Sequence, residues 1–340
     1  MNKVRFGLIG AGNVGKVHAK ALESIKEAEL VTIYSRNKKK SEKLASEFNC
    51  EYSADIKEIL ERNDIEAVII ALPSALHADV GIAAAKNGKH VVVEKPVDVS
   101  LKKTDNLINE CKKRNVLLSV IFQRRFSDSS FRLKKAVKKG YFGKINFGAA
   151  HTKWYRDQSY YENSSWRGTW KLDGGGALIN QSIHYVDLLR YIVGEIEEVF
   201  AYSATRMHDI EVEDILTGTI KYKNGALGFI EANTAAYPGL YSRIDVYGEK
   251  GIAVIQDEEI KTWKTVSESY EFKEEKKKSS YNSPDIDYFL HQKQLINIVE
   301  SIQKDEEPAV TGIDGRNTLA VVLALYESSR KNLPQKVEII

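Results

Sequence analysis

Cysteine is nearly absent from this chain of 340 residues: there are two, Cys50 and Cys111. They lie in no C-x-x-C or C-x-x-C-H arrangement, which argues against a disulfide scaffold and against a thiolate zinc site. Long apolar runs are also missing. The longest, Ile65–Leu72 and Val116–Phe122, are strand-sized, well short of the roughly 20 residues that span a bilayer. The opening Met1-Asn2-Lys3-Val4-Arg5-Phe6 has no apolar stretch of the kind a secretory leader needs, so a cytoplasmic protein without a membrane partner is expected. An excess of one charge is lacking as well. Lys and Arg number 50 against 47 Asp and Glu, a net charge of +3, which argues against nucleic acid as a partner. A phosphate held by a local arrangement stays open. There is no internal repeat and no low-complexity linker. Hydrophobic residues make up 43% and charged residues 29%, near globular averages of about 45–50% and about 25%. The length predicts two domains at roughly 100–200 residues each.

The first third alternates two hydrophobic periods. Short apolar runs occur at Val4–Ile9, Leu30–Tyr34, Ala67–Leu72, His90–Val93 and Val116–Phe122, with a weaker one near Cys50–Tyr52. Helical spacing fills Val14–Ile25, Ala75–Lys86 and Leu101–Arg114. Near-continuous Val/Ile runs mark strands buried on both faces, and their alternation with helices predicts a doubly wound parallel sheet, the Rossmann arrangement, over residues 1–123. Residues 124–340 read as an α+β domain with a large, mostly antiparallel open sheet. A helix at Asp128–Lys139 is followed by strands at Ile145–Tyr155, Val199–Arg206, Ile215–Lys223, Ala226–Ala235 and Ile244–Tyr247. Asn224-Gly225 is a hairpin signal. The charge run Glu271–Ser280 reads as a solvated loop or edge. Helices at Ile286–Ile302 and Gly315–Arg330 and a short strand at Lys336–Ile340 complete the chain.

Gly10-Ala11-Gly12-Asn13-Val14-Gly15 is G-x-G-x-x-G between a predicted strand and a predicted helix. In that context it predicts a dinucleotide site. Gly10 allows the turn, Gly12 the approach of a pyrophosphate, and Gly15 the packing of helix on strand, while the helix N-terminus supplies donors. Asn13 and Val14 belong to the same turn. The second strand ends in Ser35-Arg36-Asn37-Lys38-Lys39-Lys40. No carboxylate stands there for a ribose 2′-hydroxyl, and Arg36 suits a 2′-phosphate, so the expected cofactor is NADP or NAD with a lean to NADP. Leu72, Pro73 and His77 after the third long strand, Glu94 and Lys95 after the fourth, and Gln123 after the last are expected at the cofactor.

Glu94-Lys95-Pro96 succeeds the strand His90–Val93, at the end where α/β sheets bind ligands. Gly174-Gly175-Gly176 opens a predicted helix carrying Asn180, His184 and Asp187 at i, i+4 and i+7, expected on one face. Ile179, Ile183, Val186 and Leu189 form its core face. Between them, Trp154, Tyr155, Arg156, Tyr160, Tyr161, Trp166, Arg167 and Trp170 crowd one stretch. Aromatic faces among arginines suit a sugar ring carrying an anionic group. Glu211, Glu213 and Asp214 with His208 and Asp209 read as a solvated acidic loop; no metal site is expected, since no spacing suits one.

Together these motifs resemble the Gfo/Idh/MocA oxidoreductase family. The resemblance spans nearly the whole chain, and it includes Arg125-Phe126, Gly140 to Ile145, Gly248-Glu249-Lys250-Gly251 and Thr311-Gly312 to Ser328. It implies hydride transfer to or from a carbon of a sugar, polyol or sugar nucleotide, with Lys95 and His184 as catalytic residues. It also implies a homodimer or homotetramer built on the C-terminal sheet. Many members carry Asp four residues before the motif histidine, where this chain has Asn180. An amide cannot share a proton as a carboxylate does, so Asn180 is cast as a substrate hydrogen-bonder, with Tyr155, Arg156, Trp166 and Arg167. The Asn-Gln-x-x-His version and the aromatic stretch are similar to a branch of UDP-N-acetylglucosamine-uronate 3-dehydrogenases. A histidine, with an unperturbed pKa of about 6.5, suits the base, and a lysine suits the group that polarises the oxygen. The alternatives are glycoside cleavage by transient oxidation and a non-catalytic dinucleotide sensor.

Overall fold

A computed structural model describes residues 3–266 and 288–340; the charge run 271–280 lies outside the described residues. The chain forms two compact units. Residues through Gln123 make the first together with a later segment ending at Arg316; residues from Arg124, rejoined from Asn317 onward, make the second.

In the first unit the strands are β1 (Val4–Ile9), β2 (Ala28–Tyr34), β3 (Glu51–Ser53), β4 (Ala67–Ile70), β5 (His90–Val93) and β6 (Leu118–Val120). They form one sheet in the order β3-β2-β1-β4-β5-β6, and every pairing is parallel. The central strands are buried almost end to end, as sheets covered on both faces require. The connecting helices are α1 (Asn13–Glu23), α2 (Lys38–Glu47), α3 (Ile56–Glu61), α4 (His77–Lys86) and α5 (Leu101–Arg114). α2 and α3 escape the apolar pattern because they are short and polar: only Ser41, Leu44 and Ala45 of α2 are buried.

The boundary expected at Gln123 needs a correction on its far side. The helix Phe289–Lys304 buries Leu295, Ile298 and Val299 in the same apolar cluster as Phe6, Leu8, Ala19, Leu22 and Ile33. The amide of Gln294 donates to the Val120 carbonyl at 2.8 Å, and Ser119 Oγ donates to the Val310 carbonyl at 2.9 Å. The C-terminal domain is therefore not the unbroken stretch 124–340.

The second unit holds α6 (Asp128–Lys138), α7 (Gln158–Glu162) and α8 (Ile183–Ile192). Its strands are β7 (Ile145–Lys153), β8 (Ile196–Ala204), β9 (Ile215–Tyr222), β10 (Leu227–Asn233), β11 (Ser242–Gly248), β12 (Gly251–Gln256) and β13 (Glu259–Thr265). The helix Phe289–Lys304 is α9, α10 runs Gly312–Lys331, and β14 is Gln335–Lys336. The eight strands are ordered β13-β12-β11-β7-β10-β9-β8-β14. All neighbours are antiparallel except β7 and β10. The Asn224-Gly225 turn joins β9 to β10, with Gly225 at φ 86° and its N–H donated to Tyr222. β12 and β13 are not among the expected strands; β11 pairs with β12 directly across the Gly248–Gly251 turn, and Gly248 is packed so closely that a Cβ there would overlap the Phe142 carbonyl.

α8 is buried on nearly all sides, so its charges must be paired internally. Arg125 grips Asp187 through two hydrogen bonds, Nε to Oδ2 at 2.7 Å and Nη2 to Oδ1 at 2.6 Å. Thr318 adds a third donor at 3.2 Å. Asp187, expected on one face with His184, is thus a structural anchor. Arg125→Met leaves that carboxylate buried without its cation, and a urea titration is expected to show a loss of about 3–5 kcal/mol. A loss under about 1 kcal/mol, the usual value of an exposed pair, would mean that the pair does not hold the helix.

Candidate active site

The parallel register gathers the expected cofactor residues. Tyr34, Ile9, Ile70, Val93 and Val120 lie side by side across five strands. The loops leaving these strands therefore emerge along one edge: Ser35-Arg36, Gly10 to Gly15, Leu72-Pro73, Glu94-Lys95, and the turn Gln123–Phe126. Gly10 has φ 126°, and a Cβ there would overlap the Ala71 carbonyl. A Cβ on Gly15 would overlap the Gly10 carbonyl. Gly12 is the opposite case: nothing lies within 4 Å of where its Cβ would stand, and both it and Asn13 are exposed. The helix that Gly12 opens has no side-chain cap, whereas α2, α3 and α5 are capped by Asn37, Asp55 and Ser100. Uncapped donors beside open space are what a pyrophosphate needs, so these residues fit a dinucleotide. Arg36 is exposed, and the first turn of α2 carries no acid. Ser35 Oγ accepts the Asn37 N–H at 3.2 Å. Gln123 keeps a buried Oε1 that has no hydrogen-bond partner among the described residues.

Two of the expected cofactor contacts are turned inward. His77 is 1% exposed, with Nδ1 at 2.7 Å from the Pro96 carbonyl and Nε2 at 2.8 Å from the Leu72 carbonyl. Burial pushes its pKa down, against those two carbonyls. It ties the loop after β4 to the loop after β5 and is too buried to face a ligand. Glu94 is likewise buried: Oε1 meets His18 Nε2 at 2.8 Å and Oε2 accepts the Lys95 N–H at 3.1 Å. Burial alone would raise its pKa; His18, His291 and Lys95 outweigh that and hold it down to about 2. Asp98 accepts the N–H groups of Ala78, Val99 and Ser100. The loop carrying Lys95 is pinned before, at and after the lysine.

In the second unit the expected regular helix opens as a π-helical turn, Ala177–Ser182, before α8 begins. Such wide turns recur at functional sites, and here the turn breaks the simple i, i+4 reading of Asn180 and His184. His184 lies in the first turn of α8 and is 8% exposed. The Asn180 amide donates to Asp173 Oδ1 at 2.8 Å, and Asp173 Oδ2 accepts the Gly168 N–H at 3.1 Å. A carboxylate thus stands beside Asn180 although the residue itself carries none.

The acidic stretch expected to be solvated is instead largely buried: His208, Glu213 and Asp214 are 7%, 3% and 0% exposed. Glu213 accepts Gly176 N–H, Leu178 N–H and the Tyr326 hydroxyl, each at 2.9 Å, and so holds the start of the π turn. Burial raises its pKa to about 7 against those donors. Asp214 accepts the N–H groups of Arg206, Met207 and His208 and meets His208 Nδ1 at 2.9 Å. His208 Nε2 reaches the Arg156 carbonyl at 2.8 Å, which ties the acidic stretch to the aromatic one. Arg156 and Arg167 both stack on Tyr160, at 5.2 and 4.3 Å from its centre, and they also lie over Trp154 and Trp166. Gln181 of the π turn donates to the Tyr160 hydroxyl at 3.3 Å. Tyr155 stands apart, edge-on to Tyr237 at 5.1 Å.

Residues 4–122 match the model of an oxidoreductase family with an NAD-binding Rossmann fold, and residues 131–254 match the GFO/IDH/MocA C-terminal domain. The chain belongs to the GFO/IDH/MocA family. It is similar to the WlbA dehydrogenase of Bordetella pertussis, solved with NADH and UDP-GlcNAcA: 31% identical, TM-score 0.89, 100% of each chain covered. It is similar also to a myo-inositol 2-dehydrogenase of Thermotoga maritima, 29% identical over 98% of this chain and 99% of that one. A third relative, a levoglucosan dehydrogenase of Pseudarthrobacter phenanthrenivorans, is 29% identical over 76% of this chain and 75% of that one. As a family member the protein is an NAD(H)-binding oxidoreductase. Among its described residues no helix is long and apolar enough to cross a membrane.

Sequence reasoning misses His18, Asp173, Glu213 and Tyr326 as supporting residues. Glu213 lies among other acids, and His18, Asp173 and Tyr326 are single polar residues in apolar or loop contexts; only the fold shows what each one meets. A spacing signal exists for His18, on the first turns of the helix opened by the fingerprint. The raised carboxyl of Glu213 has a sign that can be tested. Its folded pKa lies above the unfolded value of about 4.3, so its contribution is complete below that value and is lost as pH rises through about 7. The melting temperature of wild type minus that of Glu213→Gln is therefore expected to shrink as pH rises from about 5 to about 8. A difference independent of pH would refute this account.

Proposed function

We propose that the protein oxidises a secondary alcohol of a sugar, polyol or sugar nucleotide, or reduces the corresponding ketone, with Lys95 and His184 as its catalytic residues. The observation that carries the reading is the pinned Lys95 loop on the same sheet edge as the uncapped glycine turn. When bound there, the nicotinamide supplies the hydride acceptor or donor. Gly10, Gly12, Asn13, Val14 and Gly15 would hold the pyrophosphate, and Ser35-Arg36 would face the adenosine ribose. Lys95 polarises the substrate oxygen and steadies the charge that develops on it. His184, on the first turn of its helix, takes the hydroxyl proton. Each of the replacements Lys95→Ala and His184→Ala is expected to lower kcat by about 10²–10⁴, with cofactor affinity retained. Reduction or oxidation of the nicotinamide, followed by its absorbance with both cofactors and a panel of polyols, aldoses, sugar phosphates and UDP-sugars, reads this out. Near-normal turnover in both variants would sink the assignment.

The finer cofactor preference is for NADP. Support comes from the exposed Arg36, the lysines after it and the lack of an acid in the first turn of α2. The WlbA relative was solved with NADH, so the comparison of both cofactors is decisive. NADP is expected to bind more tightly in fluorescence titrations, and NAD binding about tenfold tighter, about 1.4 kcal/mol, would overturn the preference.

The substrate is proposed to carry a carboxylate or phosphate. Arg156 and Arg167 donate hydrogen bonds to carbonyls, at Tyr155 and Tyr160, and among the described residues neither guanidinium has a carboxylate within ion-pair distance. Asn180 and Trp166 are assigned to the sugar ring, with Tyr155 at the margin. Arg167→Ala is expected to raise KM for an anionic sugar by about ten- to a hundredfold, the value of a charged hydrogen bond of about 1.5–3 kcal/mol. KM for a neutral polyol is expected to move little. Equal effects on both substrates would remove the anion from the proposal.

Self-association through one face of the eight-stranded sheet is proposed as well. Phe147, Phe229 and Tyr247 cluster on it, and Leu227 is 59% exposed.

A further inference from the structure

We propose that His18 is a positioning residue for Lys95, acting through Glu94: its imidazole holds the buried carboxylate, and that carboxylate fixes the lysine's backbone by accepting its N–H. The inference rests on the catalytic reading of Lys95.

The surroundings of Glu94 come from three helices and its own loop. His18 sits on α1 and is fully buried; its Nε2 meets Glu94 Oε1 at 2.8 Å. His291 on α9 is 4% exposed, brings its Nε2 to 3.8 Å from the same oxygen and stands edge-on to His18 at 5.2 Å. The other oxygen, Oε2, accepts the Lys95 N–H. His77 on α4 feels the Glu94 charge too and holds the Pro96 carbonyl. Lys95 itself completes the set of charges acting on Glu94. A carboxylate shut away from water stays charged only if donors and cations replace the water. His18 brings its side-chain donor to 2.8 Å of Glu94 Oε1, against 3.8 Å for His291, so that imidazole shares most directly in keeping Glu94 charged. Two imidazoles and a carboxylate are also ligands that a divalent ion would use. The 2.8 Å separation of His18 and Glu94 is that of a hydrogen bond, and the carboxylate is already engaged on its other side.

The consequence is a pH dependence that the intact protein hides and a variant exposes. In His18→Leu the side-chain donor at 2.8 Å is gone, burial weighs more heavily on the carboxylate, and Glu94 takes up a proton at a higher pH than in the wild type. The expected result is a kcat about tenfold lower near pH 6, a gap that narrows as pH rises, and a KM for the cofactor within about twofold of wild type. His18→Gln, whose amide can donate to Oε1, is expected to recover most of the loss. Glu94→Gln, which has no charge to lose, is expected to show a reduced kcat without the new acid limb. It covers the case in which His18→Leu fails to fold. Independently of turnover, infrared difference spectra of His18→Leu across the titration are expected to contain a protonated-carboxyl band that is missing from the His18→Leu/Glu94→Gln double variant. Wild-type kcat and pH profile in both His18→Leu and Glu94→Gln would overturn the proposal, as would absence of the band in a folded His18→Leu protein. Stoichiometric zinc in the purified wild type, lost in His18→Gln, would overturn it in favour of a metal site. Normal turnover in Lys95→Ala with the infrared band present would instead condemn the catalytic role of Lys95, so the two failures can be told apart.

Discussion

A carboxylate removed from water must find donors, and five buried acids of this protein take backbone N–H groups of irregular turns. Glu94 takes the N–H of Lys95; Asp98 takes three around the start of α4 and α5; Asp173 takes that of Gly168; Glu213 takes two at the π turn; Asp214 takes three before β9. Turns of this kind have no ladder to satisfy their amides. The buried acids supply the acceptors that a helix or strand would otherwise provide. Each of the two candidate catalytic side chains is carried by a segment held in this way, Lys95 by Glu94 and the approach to His184 by Glu213.

The arrangement explains which parts of the molecule are legible in the sequence. Strands β1, β4 and β5 can be read because burial on both faces demands unbroken apolar runs, and the glycine turn can be read because Gly10 and Gly15 leave no room for a Cβ. The large second sheet shows through its long alternating strands and the Asn224-Gly225 turn. The acids do not show. Glu213 and Asp214 lie among other polar residues, and a charged residue is solvated by default; only the fold reveals that Gly176, Leu178 and Tyr326 converge on one of them. Asn180 lacks a carboxylate, as its identity dictates, but Asp173, seven residues earlier, restores one to its vicinity. The single parallel pair in that sheet, β7 with β10, is hidden too, since pairing between strands distant in sequence leaves no local mark.

The proposed function depends on how little freedom these contacts leave. A lysine on a flexible loop would have to be ordered each time it met a substrate oxygen, and that entropy would add to the barrier. Here the backbone of that loop is ordered when the chain folds. The same holds for the arginines stacked on Tyr160: a guanidinium held against aromatic faces offers its edge in a fixed plane, a suitable posture for a flat anion.

The return of the chain to its first unit has a consequence for synthesis. Leu295, Ile298 and Val299 complete an apolar cluster whose other members are made early in the chain, the last of them near Val92 and Ile121. On the ribosome, the parallel sheet therefore emerges long before the helix that covers one side of it, and most of the second unit is translated in between. The nascent nucleotide-binding region must wait with exposed apolar surface until most of the protein has been made, and a fragment ending at residue 123 would keep that surface permanently.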